Sequence, residues 1–142
     1  MELEELRKLE IMACKIRMST IEGIYHAQSG HPGGSLSIAD ILSVLYFKEM
    51  RIDENNPLWD DRDRFVLSKG HAAPAYYAAL ALRGFFDVEL IKTLRKFDSP
   101  LQGHPDMTKV KGVDMSTGSL GQGLSVACGM ALYAKKRNKG FR

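Results

Sequence analysis

Apolar residues recur at Leu3, Leu6, Leu9, Ala13, Ile16, Thr20, Ile21 and Ile24, with no proline to interrupt them. That spacing predicts a helix of about seven turns over residues 3–28. It must stop near Ser29-Gly30-His31-Pro32-Gly33-Gly34, because proline disfavours helix in the residue before it and the glycines favour loop. A second helix is expected from a cap at Ser35 or Ser37 to about Lys48, with Ile38, Ile41, Leu42, Leu45 and Tyr46 facing inward. The polar run Asp53-Glu54-Asn55-Asn56-Pro57 reads as a connection, which Trp59, with Leu58 and Pro57, is expected to anchor to the core. Phe65-Val66-Leu67 is a short apolar run between turn signals, and predicts a buried strand.

An alanine-rich helix is expected over about 72–83, ended by Gly84, and another over 87–97. Irregular chain follows from Ser99 to Ser119. Leu120, Leu124, Val126, Ala127, Met130, Ala131 and Tyr133 then mark a last helix, with Lys135, Lys136 and Arg137 where the helix dipole favours them and Gly140 as its C′ residue. One strand and five helices do not make a sheet, so the chain reads as the front part of something larger.

Composition narrows the classes. Of 142 residues, 44% are apolar and 26% charged, as in a soluble globular protein rather than a disordered one. The net charge of +3 gives no basic stripe, so no nucleic-acid partner is expected. No apolar run approaches membrane-spanning length, and the acidic, amphipathic start is neither a signal nor a transit peptide. Cys14 and Cys128 lie in apolar helical patterns, where buried free thiols are expected; that favours a reducing, cytoplasmic setting.

Three of the four histidines follow a glycine: Gly30-His31, Gly70-His71 and Gly103-His104. With 13 glycines in the chain, chance gives about 0.4 such pairs. Two extend to Gly-His-Pro, and all three lie in turns. Turns on a rigid scaffold are where binding residues concentrate; glycine admits a ligand close to the backbone, and imidazole exchanges protons near neutral pH. Three imidazoles could hold zinc, but they are far apart in sequence and lack a helical carboxylate partner. His26, inside the first helix, reads as structural. Gly118-Ser119-Leu120-Gly121-Gln122-Gly123 runs small residues directly into a helix, presenting free N–H groups and a positive dipole end. It fits neither a dinucleotide fingerprint nor a P-loop. Arg62-Asp63-Arg64 reads as an ion-paired, solvated corner.

In order along the chain, Ser29-Gly30-His31-Pro32-Gly33-Gly34, the run from Arg62 to Ala72, Gly103-His104-Pro105 and the run from Ser116 to Gly123 resemble the opening motifs of transketolases. The resemblance extends from about residue 10 to 138. It implies an α/β class: a Rossmann-like thiamin diphosphate-binding fold, of which 1–142 is a mostly helical N-terminal portion that stops before the metal motif. It also implies transfer of a two-carbon ketol unit from a ketose phosphate to an aldose phosphate. By that resemblance His71 contacts the cofactor diphosphate, and Gly118, Ser119 and Leu120 lie along its aminopyrimidine and thiazolium. His31 and His104 bind the donor sugar and assist proton transfers.

There are departures. Ser119 stands where many members have proline. The Gly-Asp-Gly motif and following asparagine that hold Mg²⁺ in the family do not occur here, so those ligands are expected beyond Arg142. The pyrimidine-activating glutamate belongs to another domain. The resemblance thus implies that the partner is a C-terminal transketolase half or subunit. It also implies a dimer or larger assembly, and an inactive chain when alone. Dihydroxyacetone synthase and deoxyxylulose-phosphate synthase are related alternatives, and a non-catalytic assembly partner is a third.

Overall fold

The computed structural model describes residues 2–142 and is mostly helical. Helix α1 spans Leu3–Ala27, and its end is where the sequence placed it: Gln28 turns left-handed (φ 49°) and donates its N–H to the Tyr25 carbonyl. Glu4 and Glu5 sit in the first turn, complementing the dipole. Leu9, Ala13, Ile16, Thr20 and Gly23 form the buried stripe; Leu3, Leu6 and Ile21, of the same predicted period, remain exposed. At Gly23 the helix closes on its neighbour so tightly that a Cβ would lie 2.9 Å from Ile91 Cγ2.

The single helix expected after the Ser29–Gly34 loop is broken. Helix α2 spans Pro32–Leu36, beginning on proline as first turns tolerate, and α3 spans Ala39–Val44. A π turn over Leu45–Glu49 follows. Neither Ser35 nor Ser37 caps through its side chain; Ser37 Oγ instead donates back to the Gly34 carbonyl at 3.1 Å. Leu42 and Tyr46 are buried as expected, whereas Ile41 is exposed. Ser43 Oγ ties α3 to α1 by donating to the Leu9 carbonyl at 2.7 Å.

Helix α4, Ala73–Arg83, is the axis of the molecule, entered through a 3-10 turn at Gly70–Ala72. Every residue from Ala72 to Ala81 is buried; the alanines let α1, α2 and α3 approach closely, and Tyr76, Tyr77 and Leu80 fill the space between. Its end is as predicted: Gly84 is left-handed (φ 99°), with N–H bonds from Gly84 to Ala81 and from Phe85 to Leu80. The helix expected over 87–97 is only a 3-10 segment, Val88–Thr93, whose Asp87 cap accepts from the Glu89 N–H. Helix α5, Gln122–Lys136, starts two residues later than Leu120. It is closed by Asn138 rather than Gly140: Asn138 has φ 49°, and Lys139 N–H reaches the Ala134 carbonyl at 2.9 Å.

Three further expectations are corrected. Among the described residues there is no β-strand, and Phe65–Leu67 has no ladder partner: the Phe65 N–H donates to the Asp114 carboxylate and the Arg64 N–H to the Arg142 carbonyl. A strand is defined by a ladder with its neighbour, and the single backbone bond to Arg142 does not make one. Cys14 and Cys128 are in helices as expected but exposed, because each falls outside its helix's buried stripe. Trp59 is exposed and Leu58 nearly fully so; the connection is held instead by charged groups.

Those groups form the Arg62–Arg64 corner, which is ion-paired but not solvated. Asp63 is 2% exposed and accepts the N–H of Arg51 (2.9 Å) and of Arg142 (2.7 Å). Burial pushes its carboxyl up, but these bonds and the Arg51 guanidinium outweigh that and hold it below its usual range. Arg62 pairs with the buried Asp114, whose carboxyl burial raises.

Candidate functional site

Four loops meet at one end of α4. The loop between α1 and α2 carries His31; Lys69 Nζ pins the α2 that follows it by donating to the Gly34 carbonyl (2.7 Å) and Ser37 Oγ (3.0 Å). The 3-10 turn carries His71, whose ring stands edge-on to that of His31 with centroids 5.2 Å apart. A Cβ on Gly34 would lie 3.1 Å from His71 Nε2, so glycine there keeps room for the imidazole.

Gly70 brings in the third loop. A Cβ at that position would lie 2.8 Å from the nitrogen of Gly118 and from the carbonyl carbon and oxygen of Thr117. Only a bare backbone fits there. The Gly121 N–H donates to the Ser68 carbonyl at 2.9 Å, fixing the entry to α5, whose first turn has no side-chain cap. On its other side Gly118 faces the fourth loop, with the His104 ring 3.6 Å from where its Cβ would be. The His104 loop is held from beneath by Tyr77, whose hydroxyl lies 2.9 Å from the carbonyls of both Gln102 and His104. Burial pushes the Tyr77 phenol well up, so it stays protonated and donates.

All the residues singled out from the sequence therefore gather: His31, His71 and His104, with Gly118, Ser119 and Leu120 beside them. His31, His104, Ser119 and Leu120 are exposed; His71 and Gly118 are half-buried. A cleft of about 270 Å³ runs along Met115 to Ser119 and the first two turns of α5 at Gln122, Gly123 and Val126. Three buried hydroxyls flanking the cluster, Ser35 Oγ, Ser68 Oγ and Thr117 Oγ1, have no hydrogen-bond partner. Buried polar groups are ordinarily paired, so this end of the molecule has unspent capacity for a polar ligand. Together the uncapped helix start, free backbone N–H groups and a half-buried imidazole suit an anionic group such as a diphosphate. Among the described residues no three His, Cys, Asp or Glu side chains, the three loop histidines included, stand close enough together to hold a metal ion.

Sequence reasoning does not single out Lys69, Tyr77 or Arg95 individually. Lys69 lies within the Lys-Gly-His run and is visible there. Tyr77 reads as one more apolar position of a helix, and the use of its hydroxyl has no sequence signal. Arg95 has none either.

A helical scaffold that presents histidines and a glycine-rich helix entry on converging loops defines a small-molecule-binding unit of the anion-binding kind. Residues 9–142 match the family described as "Transketolase, thiamine diphosphate binding domain". The chain belongs to the transketolase family. It is 54% identical over 129 residues to 6-deoxy-6-sulfo-D-fructose transketolase subunit SqwG of Clostridium sp. (strain MSTE9), covering 91% of this chain and 47% of that protein. It is 44% identical to one of the subunits of apulose-4-phosphate transketolase from Phocaeicola vulgatus, covering 92% and 46%. Among solved structures, transketolase from Campylobacter jejuni superposes with a TM-score of 0.84 at 39% identity, covering 96% of this chain and 21% of that one. The chain spans about half the length of the two subunit relatives.

Proposed function

We propose that this chain supplies the diphosphate-side part of a thiamin diphosphate-dependent transketolase, which moves a two-carbon ketol unit from a ketose phosphate to an aldose phosphate. The observation that carries the reading is the seating of Gly70 on Thr117–Gly118, which draws His71, His31, His104 and the α5 entry into one site. When bound, the cofactor supplies a carbon nucleophile and an electron sink. His71 and the α5 entry hold the diphosphate, and the backbone of Gly118, Ser119 and Leu120 lies along the rest of the cofactor. The exposed His31 and His104 take up the donor hydroxyl and carbonyl oxygens and move protons there, as imidazoles near neutral pH can. Mg²⁺ takes its protein ligands from outside the described residues.

The remaining assignments follow from that role. The whole domain is Rossmann-like, residues 1–142 forming its helical N-terminal portion. The partner is a C-terminal half or subunit, in keeping with the subunit relatives, and the working assembly is a dimer or larger. A cytoplasmic setting agrees with two exposed, unbridged thiols. No helix among the described residues is long and apolar enough to cross a membrane.

The test is reconstitution with the C-terminal half, thiamin diphosphate and Mg²⁺, using xylulose 5-phosphate and ribose 5-phosphate. Sedoheptulose phosphate is the expected product. Because of the 54% identical relative, 6-deoxy-6-sulfofructose is run as a parallel donor. Cofactor binding without turnover of either donor would refute the reaction assigned here.

A further inference from the structure

Arg95 stands out because nothing about its local structure calls for arginine. Its backbone is left-handed, φ 59°, and its N–H bonds the Leu101 carbonyl at 2.7 Å. Glycine or asparagine fill such positions without strain, whereas a long L side chain does so at a cost in backbone energy. The side chain is exposed and pairs with no carboxylate within the described residues. It does span two loops. Its Nη1 donates to Ser29 Oγ at 3.1 Å, two residues before His31. Its guanidinium lies over Gly103, immediately before His104, where a Cβ would come 2.7 Å from Nη2 and 2.8 Å from Cζ.

We infer that Arg95 is a positioning residue that sets the separation of His31 and His104. The inference rests on the proposed roles of those two histidines. Tyr77 fixes the His104 loop to the core, but neither of its bonds reaches the His31 loop. Arg95 supplies that link, through a planar group that a lysine cannot reproduce. Gly103 is bare because the guanidinium occupies the space of its side chain.

Two substitutions break the link in different ways. Arg95→Gly removes the side chain and relieves the backbone. Gly103→Ala keeps Arg95 but evicts its guanidinium, a displacement of the free end of a flexible side chain. In the reconstituted full enzyme, both variants should keep a thermal midpoint within about 2 °C of the parent and an unchanged Kd for thiamin diphosphate. Both should lower kcat/KM for the donor about 10- to 100-fold, with KM raised, since small misplacements of reacting groups cost about that much. Arg95→Lys should recover only part of the loss. A donor kcat/KM within twofold of the parent in both variants overturns the inference, as does a midpoint that falls in step with activity. Should the parent turn over no donor, the functional reading fails separately. Crystal structures of parent and Arg95→Gly then decide the inference: a changed His31–His104 separation supports it, and an unchanged one overturns it.

Discussion

Gly70→Ala puts one methyl group into the contact on which the site depends. The new Cβ would sit 2.8 Å from three backbone atoms of Thr117 and Gly118. That is about 0.6 Å short of ordinary contact, and no flexible side chain can yield; the loop itself must move. The Gly118 loop cannot retreat freely, because His104 packs on its other side and Gly121 is bonded to Ser68. Overpacking of this kind costs about 1–3 kcal/mol. If the free protein relaxes by shifting the loop, that energy must be restored when cofactor binds, weakening affinity about 5- to 150-fold. The assay is fluorescence titration of the full enzyme with thiamin diphosphate, alongside a thermal melt. A weaker Kd and nearly unchanged helical content are expected. A Kd within twofold of the parent, with the fold intact, would show that this contact does not shape the cofactor site.

Two other perturbations follow from the packing. Tyr77→Phe leaves the Gln102 and His104 carbonyls without their shared donor; it should cost about 1–2 kcal/mol of stability and lower donor kcat/KM, read by melting and steady-state kinetics. Asp63 is held below its usual range in the fold, so its contribution is present above about pH 3.9, the unfolded value, and is lost as pH falls through the lower folded value. Asp63→Asn should therefore lower the thermal midpoint at pH 7, by about 1–3 kcal/mol of stability, and flatten its fall between about pH 5 and 2. Parallel midpoint-versus-pH curves for parent and variant would contradict this.

Where periodicity and punctuation agreed, the elements could be read from the residues. The end of α1 after Ala27 and of α4 at Gly84 are examples, since each needs only a left-handed residue at the right place. The break at Ser37–Ile38 was not legible, because the apolar pattern on either side continues through it. Phe65–Leu67 has strand composition but no strand beside it, and pairing is a property of two segments. The motifs could be read in order, but their meeting could not: the Gly70–Gly118 contact joins residues far apart in sequence, through the packing of α4. Arg95 was invisible, because a left-handed arginine leaves no mark in composition or spacing.

The division of labour among the three glycine-linked histidines is the claim on which the rest depends. It is measured by titrating cofactor and donor sugar separately for His31→Ala, His71→Ala and His104→Ala in the reconstituted enzyme. On the proposed roles, His71→Ala removes one charge-assisted bond to a diphosphate. It should weaken thiamin diphosphate about 10- to 150-fold, with activity largely restored at saturating cofactor. His31→Ala and His104→Ala should bind cofactor normally and lose about 10²–10⁴ in donor kcat/KM, as loss of general acid–base catalysis does. His31 and His71 are close enough, at 5.2 Å between rings, for the contrast to discriminate roles rather than regions. The opposite pattern, with cofactor binding intact in His71→Ala and lost in the other two, would contradict the account.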